Sequence, residues 1–387
     1  MGFELEVDNY RALRRVRWKA DGVCALVGPN GSGKTTLLSV LQFLRTAALK
    51  GFGKALDTHG GGFMFRHRAA AANEPVRFAF TVESARWEAE LSTSGPGIVV
   101  PVPERLFVGG KVIAEQRAGE DGFRVLDETK ALGEKSFMVT AIRTVAQQER
   151  KEFAPILASL TDSDLYRFEA FWQLRQEGSR ESTDTWLQSD GRNAFTVLRN
   201  WLAGKREDRA RWEWVRQGLR ECFPALFDDL DFAVAGQTVA AQFYGPQGGE
   251  PTPMHLAPNG LVMALLVLCA VASGNQSSIV CIDEPENGLH PYAIQRLIAL
   301  LRERAEAHKL SILLATHSPT LLNEFNDQPD HVFIMEPWQE ILPVRLDQHQ
   351  NPEWLRNFAL GDLYMNQTIA PQVQPPEVQP PEAQPKT

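Results

Sequence analysis

Gly28-Pro29-Asn30-Gly31-Ser32-Gly33-Lys34-Thr35 packs three glycines, a lysine and two hydroxyl residues into eight positions. The spacing is G-x-x-x-x-G-K-[ST], a loop whose glycines let backbone N–H groups turn inward and cradle phosphate oxygens. Lys34 then supplies a point charge to the β- and γ-phosphates, and Thr35 offers a hydroxyl to Mg²⁺. The flanks suit this chemistry. Residues 23–27 form an apolar run that leads straight into the loop. Leu37, Leu38, Leu41 and Leu44 then recur on one face of a helix expected over residues 35–49. Such a helix points its positive end at the phosphates. ATP with Mg²⁺ is the expected ligand, and Gly28, Pro29, Asn30, Gly31, Ser32, Gly33, Lys34, Thr35 and Thr36 are the expected contacts.

Two further strand ends point to the same chemistry. Ile279-Val280-Cys281-Ile282-Asp283-Glu284 is an apolar strand closing in two carboxylates. A carboxylate at a strand's C-terminal end is placed to hold Mg²⁺ through water, the role expected of Asp283. Glu284 is expected to orient or deprotonate the attacking water. Thr316-His317-Ser318-Pro319 follows the next apolar strand, residues 311–315. There His317 faces the phosphate edge, suited to bonding a γ-phosphate and sensing its loss, while Ser318-Pro319 also reads as a helix N-cap and first helical residue. Lys34, Glu284 and His317 are the catalytic candidates, and Thr35 and Asp283 the metal-holding ones.

Composition excludes several classes. The chain has 387 residues, 43% hydrophobic and 23% charged, with a formal charge of −8, which argues against a generally basic nucleic-acid binder. The longest apolar stretch, residues 261–272, is too short to span a bilayer, and the N-terminus lacks an apolar signal core. No membrane association is expected. The four cysteines (Cys24, Cys222, Cys269, Cys281) are scattered, without a CxxC pair, which fits a reducing cytoplasm.

Strand patterning runs through residues 76–108, and a glycine-rich loop, Gly51–Gly62, precedes it. Residues 134–225 read as a helical subdomain inserted between two parts of an α/β domain. The first part, 1–133, holds the phosphate loop and a β-rich lobe. The second, 226–366, alternates helix and strand, which implies parallel strands with crossover helices. Residues 367–387 are Pro/Gln-rich and read as a disordered tail.

DEPENGLHP at 283–291 and ATHSP at 315–319 resemble the ABC-class ATPases, in particular the RecF/SMC-like and OLD-like AAA-type group. The resemblance covers roughly the first 50 residues and then about 227–335. It implies an α/β P-loop NTPase fold with an ABC-ATPase head, a mixed sheet with parallel core strands and helices, plus the inserted helical subdomain. It matches 28–35 to a Walker A loop, 279–284 to a Walker B strand and His317 to a switch histidine. It also implies a signature loop, placed here at Leu256-Ala257-Pro258-Asn259-Gly260-Leu261, whose Asn259 and Gly260 would meet a γ-phosphate held by a second subunit. Pro258 stands where that family usually has Ser, and Met263 where a basic residue is common, which points to slow turnover without a partner. Asn9-Tyr10-Arg11 resembles the family's element beside the nucleotide, with Arg11 toward phosphate and Tyr10 near the base; strand-surface filler is the plainer alternative. No glutamine loop is placed, and Gln42 does not suit one. The loop of Glu286, Asn287 and His290 would lie at a subunit boundary, or would simply be a polar turn opening a helix at Pro291.

The resemblance implies an ATP-driven switch that self-associates through its heads, as a dimer or higher, and controls a separate effector protein in the manner of anti-phage systems. A nuclease is one candidate for that effector. The 70 residues after His317 are too few for a folded nuclease domain of the OLD kind. The alternatives are a DNA-repair ATPase that binds duplex DNA itself, and a largely non-hydrolytic ATP-binding scaffold. Between Arg199 and Arg220, seven basic residues outnumber three acidic ones and Trp201, Trp212 and Trp214 interleave. That composition suits nucleic acid, a partner protein, or an amphipathic helix with Trp inward and Arg in water.

Overall fold

The computed structural model describes residues 2–374 except 72, 95–96, 99–101, 118–122, 126–130, 133–139, 141, 143–150 and 162. The chain opens with β1 (Phe3–Tyr10), β2 (Leu13–Ala20) and β3 (Val23–Val27), then α1 (Lys34–Lys50) and α2 (Phe52–Thr58). An antiparallel run follows: β4 (Val76–Val82), β5 (Ala85–Leu91), the short pair β6 (Thr93–Ser94) and β7 (Gly97–Ile98), β8 (Glu104–Val108), β9 (Lys111–Gln116), β10 (Phe123–Val125) and β11 (Ala131–Leu132). The middle carries α3 (Ala154–Thr161), β12 (Asp164–Tyr166), α4 (Phe171–Glu177), β13 (Ser179–Arg180), α5 (Ala194–Ala203) and α6 (Arg206–Cys222). Then come β14 (Asp229–Ala235), β15 (Thr238–Tyr244), β16 (Thr252–Pro253), α7 (Asn259–Ser273), β17 (Ile279–Asp283), α8 (Pro291–His308), β18 (Ser311–Ala315) and α9 (Pro319–Asn323). The chain closes with β19 (Val332–Ile334), β20 (Val344–Arg345), α10 (Leu346–His349), α11 (Pro352–Leu355) and α12 (Leu360–Met365).

The central sheet has the order β12-β17-β18-β3-β19-β20, parallel except for the last pair. Its inner strands are apolar throughout because both faces are covered. Val23, Ala25 and Val27 of β3 face one hydrophobic cluster, and Cys24 and Leu26 face the other. The first cluster centres on α7, whose residues 260–273 are all buried; a helix apolar on every side belongs between layers. Each Leu or Val it buries contributes about 1.5–3 kcal/mol. The second cluster joins α1 to the eight-stranded antiparallel sheet β11-β10-β9-β8-β5-β4-β1-β2.

Two local expectations change. Gly51–Gly62 is not simply a loop: Phe52, Ala55 and Leu56 are buried at helical spacing and form one face of α2. The stretch 134–225 contains helices, and also β12, an edge strand of the central sheet that pairs in parallel with β17. The helices α5 and α6 share the α7 cluster through Trp201, Trp212, Val215 and Leu219. Of the tail, residues 375–387 lie outside the described residues. All four cysteines are buried and free.

Candidate functional site

The parallel strands bring their C-terminal ends into one row. Asp283 pairs with Ala315, and Ala315 with Leu26. One step further, Glu284 N donates to Ala315 O, Thr316 N to Leu26 O, and Met335 N to Val27 O. The three sequence-predicted clusters therefore meet at one sheet edge, the usual ligand crevice of an open α/β sheet.

Gly28 begins the loop where β3 ends. A Cβ there would lie 2.3 Å from Met335 O, so the chain passes the β19 end only as glycine. Gly33, at φ 97°, turns the chain into α1 and caps it without a side chain. No acidic residue occupies the first turn of α1, which leaves the helix's open N–H groups available to an anion. Lys34 is 7% exposed and its Nζ donates to Gly28 O at 2.9 Å and Pro29 O at 3.1 Å. Burial lowers its pKa to about 8, against the pull of Asp283 and Glu284. Thr35 Oγ1 donates to Asp283 Oδ2 at 2.9 Å, joining positions 248 apart in sequence. That hydroxyl and carboxylate are hard oxygen donors, the kind Mg²⁺ takes beside phosphates and water.

Glu284 is exposed and held at φ 53°, a conformation uncommon for a side chain larger than glycine and often found at functional sites. Asn287 Nδ2 donates to its Oε2 at 2.9 Å. Burial and the Lys34 charge lower the His317 pKa, leaving its ring neutral at physiological pH. Its ring Nδ1 lies 3.0 Å from the Tyr364 hydroxyl.

Glu286 turns inward. Its Oε1 accepts from Thr316 Oγ1 at 2.6 Å and from His317 N at 3.2 Å, and burial raises its pKa. His290 accepts from Tyr292 N and caps α8, with Pro291 as the first helical residue. Asn259 and Gly260 form the first turn of α7, whose N-cap is Pro258. A Cβ on Gly260 would lie 2.5 Å from Gly288 O, so this turn abuts the loop that follows β17. Arg175 of α4 grips the turn from outside: its guanidinium donates to Asn259 Oδ1, to His255 O at 3.0 Å and to Ala257 O, and lies over the Trp172 ring.

The Arg11 guanidinium donates to His59 O at the end of α2, and Tyr10 is fully buried against Phe43, Phe65 and Phe78. Gln42 reaches Asp164 Oδ1 at 3.4 Å, outside the row of strand ends. The Arg/Trp interleaving around residue 210 is helix amphipathicity: Trp201 and Trp212 are core, while Arg199, Arg211, Arg216 and Arg220 pair with Glu181, Asp208, Glu213 and Asp228. Sequence reasoning missed Arg175, Tyr364 and the inward role of Glu286.

The family model described as "AAA domain, putative AbiEii toxin, Type IV TA system" matches residues 23–323. No curated protein matches the chain. Similar solved structures include an SMC head bound to the C-winged helix domain of ScpA, at 11% identity, covering 86% of this chain and 92% of that one, with a TM-score of 0.46. Others are the SMC head domain from Thermotoga maritima (13% identity, 86% and 93% covered, TM-score 0.45) and a Pyrococcus furiosus Smc head with an extended coiled coil bound to the C-terminal domain of ScpA (12% identity, 90% and 98% covered, TM-score 0.44).

Proposed function

This chain belongs to the AAA-domain family, and from that premise we propose that it binds ATP with Mg²⁺ and hydrolyses the β–γ bond as a molecular switch. The observation that carries the reading is the 2.9 Å contact between Thr35 and Asp283, with Lys34, Glu284 and His317 on the same sheet edge. The loop from Gly28 to Thr36 wraps the phosphates, and Lys34 neutralises charge on the β- and γ-groups. Thr35 and Asp283 are the residues that would hold Mg²⁺, and the ion would supply positive charge to offset that of the phosphates. Glu284, steadied by Asn287, orients a water in line with the γ-phosphorus and takes its proton as the bond to ADP breaks. His317 contacts the γ-phosphate and registers its departure.

In this reading two copies pair head to head, and Asn259 and Gly260 of each complete the partner's site with the open N-terminus of α7. Pro258 brings no hydroxyl to that junction, so turnover is slow in the isolated protein. ATP favours the paired form and hydrolysis releases it, which lets a separate effector protein read the state in the cytoplasm. The family description carries toxin and toxin–antitoxin wording; a role beside such an effector, within anti-phage defence, is part of this proposal.

The test is nucleotide binding and ATP turnover of the wild type beside Lys34→Ala and Glu284→Gln. The reading predicts wild-type turnover, loss of binding in Lys34→Ala, and retained binding with turnover lower by about 10²–10⁴-fold in Glu284→Gln. Wild-type protein that binds ATP without hydrolysing it would instead favour the scaffold alternative, for which Pro258 is the specific observation.

A further inference from the structure

His317 is held at two points from two directions. Glu286 Oε1 accepts its backbone N–H at 3.2 Å. The Tyr364 hydroxyl meets its ring Nδ1 at 3.0 Å from α12, 47 positions downstream. That helix is seated firmly on α9 and the turn after it: Gly361 N donates to Asn323 Oδ1 at 2.8 Å, Leu360 N donates to Asn326 Oδ1 at 2.8 Å, and a Cβ on Gly361 would lie 2.4 Å from Pro319 O. The approach of α12 fixes where the tyrosine hydroxyl can go.

A neutral imidazole carries one N–H, and the bond made by one ring nitrogen decides which nitrogen has it. Were Nδ1 to carry the proton, it would donate to the tyrosine oxygen, and the tyrosine O–H would need an acceptor elsewhere. Among the described residues that hydroxyl has no other hydrogen bond, so the alternative leaves the O–H of this half-exposed tyrosine to water. Burial and the neighbouring Glu286 carboxylate raise the Tyr364 pKa, which keeps the hydroxyl protonated and able to donate. We propose that Tyr364 is a positioning residue: its O–H donates to His317 Nδ1 and thereby places the ring proton on Nε2. The imidazole then presents a donor to an anionic phosphoryl group, where the other tautomer would present a lone pair. This rests on the γ-phosphate role given to His317 above. It also makes α12 part of the switch, linking the nucleotide edge to the chain's C-terminal segment.

Tyr364→Phe keeps the ring and its packing while removing the hydroxyl. Long-range ¹H–¹⁵N spectra of the histidine rings in the nucleotide-free protein report the tautomer of His317 without reference to activity. The expected result is an Nε2–H ring in the wild type and a mixture in Tyr364→Phe. In turnover assays, Tyr364→Phe is expected to lower kcat about tenfold with ATP affinity little changed, the loss of one hydrogen bond's worth. In a His317→Gln background, whose amide donates regardless of tautomer, Tyr364→Phe should have no further effect. A wild-type ring protonated on Nδ1 overturns the proposal. So does wild-type kcat in Tyr364→Phe when His317→Ala is impaired. If His317→Ala itself turns over ATP like the wild type, the γ-phosphate role fails, while an Nε2–H ring lost in Tyr364→Phe would still uphold the tautomer assignment.

Discussion

Lys34 is a buried ammonium whose pKa falls to about 8, and this has a direct consequence for binding. In the unfolded chain a lysine stays charged to about pH 10.4. Below pH 8 both states are charged and the folded protein bears the full desolvation cost; between the two pKa values that cost is relieved and folding stability from this group rises. Phosphate binding needs the charged form, so nucleotide affinity should be flat below pH 8 and fall above it, approaching about tenfold per pH unit. Titrating the dissociation constant across that range checks this, and an affinity that stays level well above pH 8 would contradict it. Gly28 offers a second residue-scale test. Gly28→Ala puts a methyl 2.3 Å from Met335 O, and is expected to abolish nucleotide binding and lower stability by about 1–3 kcal/mol. These positions were legible in the sequence because their chemistry is local: loop glycines, a lysine, a hydroxyl residue. Glu286 and Tyr364 were not, since their partners lie 30 and 47 positions away and no local pattern announces the contact.

Among elements, the apolar parallel strands and α7 were readable because full burial writes itself as an uninterrupted apolar run. β12 was not, because Asp164-Leu165-Tyr166 shows no alternation and becomes a strand only by pairing with β17. α2 was masked by the glycines at both its ends. The first turn of α7 carries the element-scale prediction. Gly260 abuts Gly288 O, so Gly260→Ala forces the turn away from the loop after β17. It should leave ATP binding by a single chain intact, reduce stability by about 1–3 kcal/mol, and abolish ATP-driven association. Isothermal titration beside sedimentation would separate these, and undisturbed association would remove α7 from the proposed junction.

For the whole molecule, two hydrophobic clusters flank one parallel sheet, and the middle of the chain is woven into the first of them. Trp201 and Trp212 are therefore core members, and Trp214 is partly buried against the same cluster. Trp201→Ala should cost about 3–5 kcal/mol in urea unfolding with an unchanged m value. The composition gave no hint of which way these rings faced, because a helix rich in Arg and Trp serves a core, a partner or a nucleic acid equally well. The proposed switch needs two molecules: a nucleotide site on a strand edge, completed by the α7 turn of a second copy. Its most direct test is the molar mass of Glu284→Gln by light scattering, with and without Mg²⁺ and ATP. A head-to-head switch has a single-chain mass without nucleotide and doubles at saturating ATP, which Lys34→Ala does not; a single-chain mass at saturating ATP, with binding confirmed, would rule it out.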